Sequence, residues 1–311
     1  MVYKRSHRIV RPRDPVNTTL RTVLSLATLV DAGDAALVPY ARTTGGAAVG
    51  IVCVDPSAHL AQCHRSVLGT IAISATLEPL AYYRDVLGFA ELAPVELQVP
   101  SPFPSHNRCV LVVPTIDTRY RERDRHLATI AATTTAIVRT RPGNYAAFFP
   151  SFALLDAVAA RFEVPPEQLL IQRQGMSRAE QRGLLDALRR ADQPRLLLAV
   201  MGGMFAEGVD LPGEALIGAI VVGPSLPYIG FDRTLMREHF ERNRGDGFAY
   251  ALLYPGMQRV VQCTGRVIRT MSDRGVVALL GRRFARPPYA ACLPRDWHDG
   301  DVATLITSEP A

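Results

Sequence analysis

From residue 109 onward the chain alternates short apolar, β-branched runs with longer amphipathic stretches, and this alternation narrows the available folds more than any other feature. "CVLVV" (109–113) precedes a helical period over 121–139, and "YAAFF" (145–149) precedes a helix beginning at Ser151. "LLIQ" (169–172) precedes "SRAEQRGLLDALRRA", whose Ser177 and Glu180 have the spacing of a capping box. "RLLLAV" (195–200), a glycine-rich loop, "LIGAIVV" (216–222), two helices and "GVVALL" (275–280) complete the series. Continuously apolar strands separated by helices imply an α/β fold with a mostly parallel sheet and helices on both faces. In such sheets ligands gather at the carboxyl ends of the strands.

Upstream the pattern is less regular. "NTTLRTVLSLATLVDAG" reads as a helix capped by Asn17 and stopped by Gly33. "VGIVCVDPS" and "TIAISAT" read as buried strands joined by a helix around His59, and Thr76 reads as the cap of "LEPLAYYRDVLG". The three prolines of "VPSPFPSHNR" (99–108) mark a linker or boundary.

Among 311 residues 48% are hydrophobic and 21% charged, a balance that excludes a disordered chain. The apolar runs are too short to span a bilayer, and no export signal is visible, so the cytoplasm is the expected compartment and no membrane partner is expected. Five scattered cysteines read as free thiols. His59, Cys63 and His64 have no second ligand pair at a zinc-site interval, so no metal site is expected. A formal charge of +6 favours a polyanionic partner only mildly, because all basic residues but Lys4 are arginine.

Four stretches at strand or helix ends could carry chemistry. In "VVQCTGRVIRT" (260–270), helical spacing puts Val260, Cys263, Thr264, Val267 and Ile268 on a packing stripe, and Gln262, Gly265, Arg266 and Arg269 on the opposite face. "MGGMFAEGVDLPG" (201–213) offers Gly203 and Gly208 for close backbone approach to a phosphate, with Glu207 and Asp210 alongside. "FFPSF" places Ser151, and "ISATLEP" places Ser74 and Thr76, at helix starts where anions can bind. Each has an ordinary reading as well: a solvated arginine face, a common glycine loop, and helix caps.

Taken in order, "SATLEPLAYYRDVLG", "GNYAAFFPSF", "FAEGVDLPG", "QCTGRVIR" and "DRGVVALLGRRF" closely resemble motifs III, IV, V and VI of the superfamily 2 DNA helicases of the XPD/DinG group, over roughly residues 48–297. The resemblance implies a RecA-like fold of the P-loop NTPase type. Its boundaries would be a helical tail of an inserted, arch-like domain (1–47), the last strands of a first RecA-like domain with motif III (48–103), a complete second RecA-like domain (104–305) and a frayed tail (306–311). It implies that Arg266 and Arg269, with Gln262, reach the γ-phosphate of ATP held between two such domains. Glu207, Gly208, Asp210 and Gly265 would then lie on the nucleotide, Ser74 and Thr76 would couple hydrolysis to strand movement, and Ser151 and Gly203 would line the single-stranded DNA path.

The departures are equally definite. Neither G-x-x-x-x-G-K-[ST] nor D-E-x-H occurs in the sequence, the four-cysteine iron–sulfur segment of many relatives is absent, and Gly281 stands where relatives usually have aspartate. ATP and Mg²⁺ would therefore need first-domain motifs from elsewhere, such as a separately encoded N-terminal half, and the chain alone is expected to be inactive. The competing expectations are a non-catalytic nucleic-acid-binding remnant and an unrelated doubly wound enzyme using the glycine loop for a cofactor.

Overall fold

The fold is that of a computed structural model, described for residues 15–43, 46–190, 192–207, 213–297 and 303–304. Its regular elements are, in chain order, α1 (Pro15–Asp31), β1 (Leu37–Arg42), β2 (Ala48–Cys53), α2 (Ser57–Arg65), α3 (Leu80–Val86), β3 (Arg108–Val113), α4 (Leu127–Thr140), β4 (Tyr145–Phe149), α5 (Phe152–Ala159), β5 (Leu169–Ile171), α6 (Arg178–Arg190), β6 (Leu196–Val200), α7 (Met204–Glu207), β7 (Gly218–Val222), α8 (Phe231–Arg244), a π-turn (Ala249–Leu253) running into α9 (Tyr254–Thr264), β8 (Gly275–Leu280) and β9 (Ala303–Thr304). The described residues fall into two compact units. One holds residues up to Thr70 with Arg84–Pro94 and Ile229–Gly247; the other holds Ile71–Tyr83, Val95–Tyr228 and the residues from Phe248 on.

The larger unit is built on one seven-stranded sheet, ordered β5-β6-β4-β7-β8-β3-β9, with every pairing parallel. Because side chains alternate across a strand, β4 sends Ala146 and Phe148 to one face and Tyr145, Ala147 and Phe149 to the other. The first face packs on α6, α7 and α9 through Leu185, Leu188, Phe205, Met257, Val260 and Cys263. The second packs on α4 and α5 through Ile130, Ala131, Leu154, Leu155 and Val158. All five residues of β4 are buried, so the strand reads as a continuous apolar run with no polar alternation. The expected α/β class, a mostly parallel sheet with helices on both faces, is the observed one.

Asn144 fastens the amino-terminal end of this sheet. Its amide nitrogen donates to Leu188 O (2.8 Å) and Ala215 O (3.3 Å), and its amide oxygen accepts from Arg195 N (3.0 Å), all with the residue 2% exposed. The capping box at α6 also forms: Glu180 N donates to Ser177 Oγ (3.3 Å), and Ser177 N to Glu180 Oε2 (2.7 Å).

In the smaller unit β1 and β2 pair antiparallel, from Leu37 opposite Cys53 to Arg42 opposite Ala48. Just before α2, Asp55 accepts from Ser57 N (2.9 Å), and its other oxygen meets His239 Nε2 at 3.3 Å. Gly88, at φ +76°, passes so close to α2 that a Cβ there would lie 2.6 Å from Ala61 N, which only glycine permits. His59 pairs with Asp34 and His64 with Leu87 O, so the two histidines serve different partners.

Five local expectations are corrected. The first helix starts at Pro15, so Asn17 lies inside it and is not its cap. "VGIVCVDPS" does form a strand, but in a half-exposed antiparallel hairpin and not within a buried parallel sheet. "TIAISAT" forms no strand: a strand needs a partner edge, and Ile71 and Ile73 stand 84% and 88% exposed. Thr76 does not cap α3, which starts only at Leu80; its amide donates instead to Ser74 Oγ. The helix expected over 121–139 starts at Leu127, because residues 117–126 are taken up by a loop and a 3-10 turn.

Replacing Asn144 with alanine would leave one buried and one half-buried carbonyl, and one buried amide, without the Asn144 partner. We expect a loss of about 2–4 kcal/mol, read as a lower urea midpoint with an unchanged denaturant slope.

Candidate functional site

The exit of β6 and the end of α9 meet in the larger unit. After β6 the chain turns at Gly202 (φ +78°), where a Cβ would come within 3.4 Å of Arg259 Nε on α9, and continues through Gly203 into α7. Arg266 lies just beyond α9, half-buried, and its Nε donates to Ala206 O of α7 at 3.0 Å, a contact between residues 60 apart in sequence. Thus the glycine loop and the Q-x-x-G-R stretch form one packed corner.

The single helical face expected for Gln262, Gly265, Arg266 and Arg269 does not exist. α9 ends at Thr264, with Gly265 N donating to Val261 O (3.0 Å) and Val267 N to Thr264 O (3.2 Å). The chain must turn here because β8 starts at Gly275, packed so tightly that a Cβ there would lie 2.8 Å from Ile217 O. Asp273 fixes the turn: its Oδ2 accepts from Arg269 N and Thr270 N (both 2.8 Å), and its Oδ1 from the Thr270 hydroxyl (2.7 Å). Burial works to raise the Asp273 pKa, but the Thr270 hydroxyl, the two amides and the Arg269 charge together outweigh it and hold the carboxyl below its ordinary value. Val267 and Ile268 are buried in this turn, Gln262 is half-buried on the last turn of α9, and Arg269 is at the surface.

Gly208 and Asp210 lie outside the described residues, as does the side chain of Glu207. Ser151 is the N-cap of α5, accepting from Leu154 N at 3.3 Å, so capping accounts for its presence there. Because β4 and β6 are parallel neighbours, Ser151 and Gly203 follow adjacent strands out of the same sheet edge. Ser74 is exposed and Thr76 half-buried, and they engage each other with their hydroxyls 3.2 Å apart.

A second polar cluster on that edge escaped the sequence reading. Beyond β3, Asp117 is 4% exposed and is gripped by Arg119, whose Nε donates to both carboxylate oxygens (3.0 and 2.9 Å) and whose terminal nitrogen donates to Oδ2 at 2.6 Å. Arg282, just past β8, brings its terminal nitrogen to 3.9 Å from the same Oδ2, and its backbone N–H donates to Ile116 O at 2.7 Å. Arg283 donates to Thr118 Oγ1 (3.4 Å) and lies over the Tyr289 ring. Gly223, leaving β7 at φ +70°, is pressed against the same loop: a Cβ there would sit 2.8 Å from Thr118 Cβ. The signal available in sequence was "DTRYRERDR", arginines interleaved with an aromatic directly after a strand.

Arg119 hydrogen bonds, opposed by burial and aided by the Arg119 and Arg282 charges, pull the Asp117 carboxyl down to about 2. A pKa lowered on folding stabilises above the unfolded value and loses that contribution as pH falls through the folded one. With Arg119 largely in solvent, the contribution is about 1–2 kcal/mol. Asp117→Asn should therefore cost that amount at pH 7, and urea denaturation should show the gap to the unsubstituted protein closing between about pH 4 and pH 2.

The described sheet, strand order and edge loops are those of a RecA-like α/β fold. Residues 134–300, more than half of the chain, match the family of the helicase C-terminal domain. The chain belongs to that family and corresponds to the C-terminal portion of an XPD/DinG-type superfamily 2 helicase. It is 29% identical over 248 residues to a probable ATP-dependent helicase of Methanocaldococcus jannaschii, covering 74% of this chain and 36% of that protein. It is 26% identical over 243 residues to the ATP-dependent DNA helicase DinG of Photobacterium profundum, covering 72% and 33%. An apo XPD structure aligns with TM-score 0.64 at 20% identity, covering 92% of this chain and 57% of that one; an XPD helicase structure gives 0.63 at 19%, covering 91% and 50%. The chain spans about a third of the length of the curated relatives it matches.

Proposed function

We propose that this chain is the C-terminal part of an ATP-dependent DNA helicase, contributing one wall of an ATP cleft and part of a single-stranded DNA groove. The observation that carries the reading is the Arg266 to Ala206 hydrogen bond, which holds a motif VI arginine against the motif V loop. In this reading Arg266 and Arg269, with Gln262, face the terminal phosphate of ATP, where a guanidinium spreads the charge that develops during phosphoryl transfer. Glu207, Gly208, Asp210 and Gly265 flank the nucleotide, Ser74 and Thr76 couple hydrolysis to strand movement, and Ser151 and Gly203 line the strand path. By the same reading residues 104–305 are the second RecA-like domain, 48–103 belong to the first, 1–47 to an inserted domain, and 306–311 form a tail.

ATP brings Mg²⁺ with it. Among the described residues no three His, Cys, Asp or Glu side chains gather to hold a metal; in this reading the acids that bind the ion come with the first-domain motifs. This chain's own residues then orient the phosphates and offset their charge.

The test is complementation. DNA-stimulated ATPase should be absent for the chain alone and appear when it is mixed with a P-loop-bearing first half. Arg266→Ala should lower the restored rate by about 10³-fold or more. No restored turnover, or an Arg266→Ala protein as active as the parent, would overturn the catalytic reading. Salt-sensitive strand binding without turnover under any complementation would leave the second reading, a nucleic-acid-binding remnant.

A further inference from the structure

On the carboxyl edge of the sheet, the strand exits follow one another in the order β6, β4, β7, β8, β3. Gly203 and Ser151 mark the first two. The β3 exit stands three strand spacings beyond β4, about 14 Å at roughly 4.8 Å each. A polymer passing Gly203 and Ser151 along this edge would cross the β7 exit and then meet the loops that follow β8 and β3.

Those loops are built for an anion. The β3 exit carries Arg119, Arg121, Arg123 and Arg125, the β8 exit carries Arg282, Arg283 and Arg286, and the acids among them are Asp117, Glu122 and Asp124. Arg119 and Arg282 both address Asp117 Oδ2, at 2.6 and 3.9 Å, so their guanidiniums are close enough to share one phosphate. Their side chains remain 58% and 46% exposed. A guanidinium has five N–H donors, and Asp117 takes those on Nε and one terminal nitrogen of Arg119. Behind them the Arg283 Nε is buried without a hydrogen-bond partner. Next to this pair Tyr120 is 80% exposed, and the Arg123 guanidinium lies 4.6 Å from its ring centroid. An exposed aromatic ring backed by a cation and flanked by a phosphate-sized arginine pair matches single strands, whose bases are free to stack; it does not match duplex or an acidic protein face.

We propose that the β3 and β8 exit loops form a further single-stranded DNA contact, with Arg119 and Arg282 on one phosphate and Tyr120 stacking on a base, and with Asp117 as the positioning residue that holds the two arginines together. The inference rests on the reading of this edge as a strand groove and extends that groove past the motif residues.

The experiment measures fluorescence anisotropy of labelled oligo-dT on the full chain across a potassium chloride series. For the Arg119→Ala/Arg282→Ala double variant, the slope of log affinity against log salt should fall by about 0.7, the value for one phosphate contact. Tyr120→Ala should weaken binding about tenfold, with Tyr120→Phe retaining it. The Arg119→Lys/Arg282→Lys variant controls for folding and should keep the parental slope. If the unsubstituted chain does not bind oligo-dT, this inference and the strand-groove reading fall together. If it binds but the double alanine variant keeps both slope and affinity, only this inference falls. Equal competition by polyglutamate would make the surface a general anion patch and would also overturn it.

Discussion

Parallel pairing is the constraint on which the rest of this molecule depends. A strand can meet the next one in parallel only after the chain has returned along the outside of the sheet, so each strand of the larger unit is followed by a helix or a long connection. Both faces are then covered, and the strands must be apolar throughout, as the fully buried β4 and β7 are. The same geometry sends every strand exit to one edge, which is why polar and glycine-rich loops far apart in sequence become neighbours there. At the opposite end, Asn144 ties α6, the entry to β6 and the segment before β7 into one network.

Within that frame, the two helicase motifs that lie closest in space are joined by backbone as much as by side chains. Arg266 reaches a carbonyl of α7, and Asp273 gathers the amides of the turn that follows. Engaged through Nε, the Arg266 guanidinium keeps its positive charge while the contact fixes its orientation against α7. The corner is pre-organised by a helix that stops on time, not by a helix that carries both arginines on one stripe.

Much of the sheet was legible because burial on two faces leaves a plain mark: "YAAFF", "RLLLAV" and "GVVALL" have no polar residue except at an end. Ser177 and Glu180 were legible because a capping box is a local device. The failures share one cause, dependence on something distant. "TIAISAT" has the composition of a strand but no edge to pair with, and α9 stops at Thr264 because Gly275 must start a strand against Ile217. Asp117 went unnoticed because a run of mixed charge reads as solvated surface, while Arg282, the second arginine facing it, arrives some 165 residues later. The family resemblance was legible from motif order alone, and it identified residues without giving the geometry that holds them.

The crossing of Gly223 and Thr118 has a mechanical consequence. There is no space for even a methyl group between Gly223 and the Thr118 side chain, so the β7 exit cannot move toward the β3 exit loop without displacing that side chain. The β3 exit loop thus rests directly on the point where the chain leaves the middle of the sheet, a contact that only the absence of a side chain permits.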